Sequence, residues 1–212
     1  MTEPLVSIGA PRAERADAAR NRQHLLATAR AMLASQGTAA LTMDALAERA
    51  GLGKGTVFRR FGSRAGIFQA LLDDDERTFQ QQVLSGPPPL GPGAPPLDRL
   101  IAYGQARIDY LVRNREIARQ ALDGSQPIPA GSSTPLSRLH IRSLLGQLDL
   151  GPADLDMLAM QLTAALDAPL LLYLSADTLD GADAGRPGPA GLDRVARGWQ
   201  DLVTRVAAPA PS

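Results

Sequence analysis

The chain has no cysteine among its 212 residues. That absence excludes disulfide staples, thiolate-bound metal and a cysteine nucleophile. Histidine is almost as scarce: His24 and His140 are the two present, and aromatic side chains make up only 4% of the chain. Two histidines so far apart in sequence do not suggest a catalytic or metal-binding set. A glycine-rich phosphate loop after a strand is missing, as are carboxylates at metal-ligand spacing. The run Asp73-Asp74-Asp75-Glu76 is no exception, because successive carboxylates on a helix point around its cylinder into solvent. No enzymatic activity, cofactor or metal is expected. Long apolar runs are lacking too. The longest, around Leu170 and Leu174, is far too short to span a bilayer, and residues 1–10 carry neither the basic nor the apolar part of an export signal. The expectation is a soluble, cytoplasmic protein with no membrane partner.

What is present is a charge asymmetry hidden by a formal net charge of zero. Residues 12–64 hold ten basic side chains against four acidic ones, a net of +6. From residue 65 onward twelve arginines face seventeen carboxylates, a net of −5, and Glu3 supplies the remaining charge. A basic head on an acidic body suits an anionic polymer bound at one end, although a solvated basic face would show the same count.

The hydrophobic pattern is helical throughout, with no strand signal. Residues 1–14, with Pro4, Gly9 and Pro11, read as a disordered arm whose Arg12 lies near Arg15, Arg20 and Arg22 at the start of the first helix. These arginines could reach an anionic polymer or simply keep the terminus soluble. Leu25, Leu26, Ala29, Met32 and Leu33 form one stripe of that helix, which Gly37 ends. Thr42 is placed to cap a second helix closed by Gly51, and a third runs over 54–61 with Val57 and Phe61 inward. Ser63 can cap a fourth, with Ile67, Phe68 and Leu71 buried. Two short helices joined by a glycine turn and braced by longer ones form a helix-turn-helix unit, assigned to 15–63. A helical body follows over 64–208, comprising a connecting helix at 64–84, a proline- and glycine-rich loop at 85–96, and helices at 97–114, 116–122, 135–148, 153–175 and 191–206.

The stretch TMDALAERAGLGKGTVFRRF at 42–61 resembles the TetR family of bacterial transcriptional regulators, and the resemblance runs from about Arg20 to Leu72. Its marks are the small Ala47, the turn glycine Gly51, then Gly55-Thr56, Val57, Phe58 and Phe61. Ala47 lets two helices cross closely, and Gly51 permits a positive φ. Gly55 removes a side chain where backbone meets groove or phosphate, leaving Lys54 and Thr56 to touch DNA. Arg59 and Arg60 can clamp phosphates, Thr42 and Arg64 sit at helix N-termini that favour a phosphate oxygen, and Phe58 joins the DNA-binding set. Two features depart from the family pattern. Gly53 stands where a capping serine is frequent, and Phe58-Arg59-Arg60 replace tyrosine or histidine, which implies stronger salt dependence.

The resemblance implies an all-α protein with an N-terminal three-helix DNA-binding domain and a C-terminal helical domain for ligand binding and dimerisation. Its partners would be a double-stranded, palindromic DNA operator, a second copy of the chain, and an unidentified small molecule that releases a repressor. A ligand-independent DNA binder or an activator with the same head is the alternative. Leu158, Leu162 and Leu166, with Val195, Trp199 and Leu202, are the apolar stripes expected at the dimer interface, with monomer core as the competing reading. Tyr103, Arg107 and Tyr110, sharing a helix face, together with His140, Ser143 and Gln161, are the candidate ligand residues.

Overall fold

The computed structural model describes residues 10–122, 135–175 and 189–208. Among the described residues the secondary structure is helical: α1 (Ala10–Gln36), a 3-10 turn (Thr38–Ala40), α2 (Met43–Ala50), α3 (Lys54–Phe61), α4 (Arg64–Ser85), α5 (Pro96–Ala121), α6 (Pro135–Leu145), α7 (Leu155–Ser175) and α8 (Pro189–Val206). The chain divides into two compact units, Met1–Asp73 and Asp74–Ser212. The expected division at 63/64 thus falls about three turns early. Ile67, Phe68 and Leu71, in the first turns of α4, are completely buried within the first unit, so that part of the helix is needed to close the head.

The head forms where local rules predict. Thr42 Oγ1 accepts a hydrogen bond from the Ala45 N–H at 3.1 Å, capping α2. Gly51 ends that helix in the left-handed region at φ 64°, and its N–H turns back to Ala47 and Glu48. The Leu52 N–H reaches the Ala47 carbonyl at 3.0 Å, which completes a Schellman closure. Gly53 gives α3 no side-chain cap, whereas Ser63 Oγ accepts from the Gly66 N–H at 3.1 Å and starts α4. Helices as short as α2 and α3 cannot persist alone. They are held by Leu46, Ala47, Val57 and Phe61 packing inward with Leu25, Leu26 and Met32 of α1, each large apolar side chain contributing about 1.5–3 kcal/mol on burial. The segment 10–14, read as part of a disordered arm, is helical, because no residue between Pro11 and Gly37 breaks the pattern. The rest of that arm lies outside the described residues.

In the body α5 packs against α6, α7 and α8, and α6 packs against α7. Pro96 opens α5 at a position where its missing N–H costs nothing. The separate helices expected at 97–114 and 116–122 are one. Asn114 is buried, and its Nδ2 donates to the Tyr110 carbonyl at 3.1 Å, so the side chain is satisfied within the helix instead of ending it. Asp154 Oδ1 accepts from the Met157 N–H at 3.0 Å and sets the start of α7 two residues later than expected. The core joins Leu100, Tyr103 and Leu111 to Ile141, Leu144, Leu162, Leu166, Trp199 and Val203. The expected loops at 124–134 and 177–189 fall almost wholly outside the described residues. No helix of the described residues is long and apolar enough to cross a membrane.

Candidate nucleic-acid interface

α3 divides cleanly around its axis. Val57 is fully buried and Phe61 nearly so, while Lys54, Gly55, Phe58, Arg59 and Arg60 are exposed and Thr56 is half-buried. Phe58, at 63% exposure, is the most exposed large hydrophobic side chain among the described residues. Lys54 Nζ pairs with Asp44 Oδ2 at 2.9 Å, both side chains open to water. Such a pair is worth no more than about 1 kcal/mol, so a phosphate can replace the carboxylate cheaply. Arg59 Nε donates to the Gly55 carbonyl at 3.2 Å, and Arg60 Nη2 donates to the Ala18 carbonyl at 3.1 Å. Both guanidiniums stay at the surface with donors to spare. A Cβ added at Gly55 would meet nothing within 4 Å. Among the described residues nothing requires glycine there, which leaves room for a surface approaching from outside.

Two residues of the DNA-binding set are placed differently. The Thr42 hydroxyl oxygen is occupied as a helix cap, leaving its O–H to donate outward. Arg64 turns inward. Its Nε donates to the Leu41 carbonyl at 2.8 Å, its Nη2 to the Thr38 carbonyl at 2.7 Å, and the guanidinium lies 4.9 Å from the centre of the Phe68 ring. The side chain expected on phosphate ties the start of α4 to the turn before α2. His24, which the motif did not single out, stands with Nε2 3.0 Å from the Ala50 carbonyl and links α1 to the end of α2. No sequence signal marks it, since the bond depends on a helix crossing and on no local spacing.

Residues 25–71 match the profile of the bacterial regulatory proteins of the tetR family. Those residues therefore form a tetR-type domain. The match coincides with the unit that presents α3, so the chain carries a tetR-type helix-turn-helix head. Its overall fold is similar to that of several solved structures. A TetR-family transcriptional regulator from Pectobacterium atrosepticum shares 20% identity over 92% of this chain and 98% of its own, with a TM-score of 0.63. A transcriptional regulator from Rhodococcus sp. Rha1 shares 16% over 90% and 99%, with a TM-score of 0.56. One of the TetR/AcrR family from Thermobifida fusca shares 18% over 87% and 96%, with a TM-score of 0.53. A comparison with curated proteins finds no match.

In the body, the face of α5 carrying Tyr103, Arg107 and Tyr110 is buried. Arg107, 1% exposed, donates from Nη1 to Glu76 Oε2 at 2.8 Å, and its Nη2 lies 3.7 Å from Asp167 Oδ1. Its guanidinium also sits 5.0 Å from the Tyr110 ring centre and 5.9 Å from that of Phe79. Burial acts to discharge Arg107, but Glu76, Tyr103 and Asp167 outweigh it and raise the pKa. Burial also raises the phenols of Tyr103, which shares a hydrogen bond with Ser137, and Tyr110, which donates to Glu76. Of the acidic run, Asp73 accepts from Gln69, Asp74 from Arg77, and Glu76 turns inward to Arg107. His140 packs against Tyr103 with ring centres 5.0 Å apart. Ser143 and Gln161 are exposed on the outer faces of α6 and α7, one helical step away from the buried sides. They do not join the cluster.

The stripe expected at a dimer interface is mostly the chain's own core. Leu162, Leu166 and Trp199 are buried, and the Trp199 Nε1–H donates to the Leu100 carbonyl at 3.1 Å. Leu158 and Val195 are half-buried, and Leu202 is 39% exposed. Both helices bury that side because α5 occupies it.

Proposed function

We propose that this chain is a TetR-family regulator, a cytoplasmic homodimer that holds a palindromic operator through α3 and releases it when a small molecule binds in the body. The observation that carries the DNA-binding part is the outward face of α3, with one lysine, two arginines and an exposed phenyl ring around a glycine that nothing among the described residues requires. Phosphate contacts from Lys54, Arg59 and Arg60 would position the helix, while Thr56 and Phe58 face the bases.

Dimerisation is supported by the other side of the last two long helices. Met157, Met160, Gln161, Ala164 and Ala165 are all exposed and recur along one face of α7, both methionines at 46%. Gly198 and Leu202 are exposed one turn apart on α8. Soft and small side chains of this kind suit close helix packing between two copies. The proposed interface is therefore this outward face, with Leu202 retained from the expected set. Because Arg107 already has its partners within the chain, a DNA-binding protein without an effector is the second reading, and an activator with the same head is a variant of it.

Selection of bound DNA from a random pool, paired with sedimentation of the free protein, tests the proposal. An inverted repeat with half-sites about one duplex turn or a multiple apart, bound by a dimer, is the expected result. Recovery of no enriched sequence, or of a lone half-site bound by a monomer, would refute it.

A further inference from the structure

The buried nitrogens without a hydrogen-bond partner among the described residues include Nε of Arg99 on α5 and Nε2 of His140 on α6. Arg99 lies one turn before Tyr103 and shares its helix face, and the Tyr103 ring packs on the His140 imidazole at 5.0 Å, tilted by 48°. Two turns further along α5 a buried arginine is treated quite differently, since Arg107 is met by Glu76 and Asp167. His140 stands close enough to Arg99 to feel its charge, and no ion pair to a carboxylate is found at either residue among the described residues. Buried polar atoms left unpaired in this way are rare and call for an explanation.

We propose that Arg99 and His140 together recognise the anionic group, a carboxylate or phosphate, of a small molecule taken up by the body. This rests on the effector reading above and names its chemical class. The guanidinium fork supplies directed N–H donors, and Nε2 of His140 supplies another when protonated. Arg107 is unsuited to the task, because an anion brought to it would meet two carboxylates. Burial, and then the charge of Arg99, push the His140 pKa down to about 4. An anion seated between them would offset that repulsion, so binding would take up a proton.

The two histidines allow a direct test on the full chain. With histidine labelled in its ring nitrogens, His140 is followed by NMR while sodium benzoate or inorganic phosphate is added, and His24, hydrogen-bonded to Ala50 in the head, serves as the internal reference. One of the two anions is expected to raise the His140 pKa by roughly 1–3 units while His24 stays unchanged. A response to benzoate assigns a carboxylate, and a response to phosphate assigns a phosphate. Arg99→Gln should abolish the shift, Arg99→Lys should keep part of it, and His140→Phe, which preserves the ring contact with Tyr103, should weaken binding in calorimetry by about tenfold or more. The proposal fails if neither anion moves His140, which is the result for a histidine satisfied by water alone. It also fails if His24 shifts in parallel, or if Arg99→Gln leaves the response intact. Operator affinity measured alongside separates the two readings. Anion binding that leaves DNA affinity unchanged would preserve this site and remove the effector role, whereas release of DNA by any compound that leaves His140 unmoved would do the reverse.

Discussion

The indole of Trp199 occupies the space that a side chain on Gly104 would need: a Cβ built there would overlap the indole nitrogen and its ring neighbours. The cause is a shared acceptor. The Leu100 carbonyl, which in a regular helix accepts the Gly104 N–H, also accepts the Trp199 Nε1–H at 3.1 Å. The indole must then lie across α5 at residue 104, and only glycine leaves room.

Gly104→Ala is accordingly expected to destabilise the body by about 1–3 kcal/mol through overpacking, even though alanine is the better helix former. Chemical denaturation measures it, and combining the change with Trp199→Leu should recover part of the loss. A Gly104→Ala protein as stable as the parent would show that Trp199 lies elsewhere.

Arg107→Met should cost about 3–5 kcal/mol, because it removes the cation that Glu76 and the buried Asp167 both face. Urea titrations of parent and variant measure it, and a variant as stable as the parent would contradict it.

Operator binding should weaken steeply with salt. If each protomer neutralises three to five phosphates, the log-log slope lies on the order of −5 to −9. Arg59→Gln or Arg60→Gln should each flatten it by about 2 in a dimer, one phosphate per protomer. Arg64→Met should behave differently. It removes hydrogen bonds to the Thr38 and Leu41 carbonyls, so the head should lose about 1.5–3 kcal/mol of stability while the slope changes little. Fluorescence anisotropy across a salt series, with thermal unfolding alongside, distinguishes the two roles. An equal change of slope for Arg64→Met would return it to the phosphate contacts.

His140 gives the free protein a pH dependence of definite sign. Its folded pKa is lowered to about 4 from 6.5, by burial and then by Arg99, so between those values the unfolded chain binds the proton better. Stability from this group is complete above 6.5 and declines as pH falls toward 4, below which it declines no further. His140→Phe should flatten that limb of the stability profile. An unchanged profile would place the titration on other groups.

The head was legible in the amino-acid order because its determinants are local. A threonine cap, a glycine able to adopt positive φ, and an apolar edge at i and i+4 act within a few residues, so Thr42, Gly51, Val57 and Phe61 could be assigned directly. The basic outer face of α3 follows, since residues on a short helix that do not point inward must point out. The sequence alone therefore determined an all-helical chain with a TetR-like DNA-binding head. Tertiary structure decided which partner each side chain meets. An apolar stripe does not say whether it covers its own core or a second copy, and Trp199 was settled by Gly104 on another helix. A charge likewise does not name its counter-charge: Arg64 turned to backbone carbonyls, Arg107 found two carboxylates, and Arg99 came beside a histidine. These pairings join residues distant in the chain, and only helix packing brings them together.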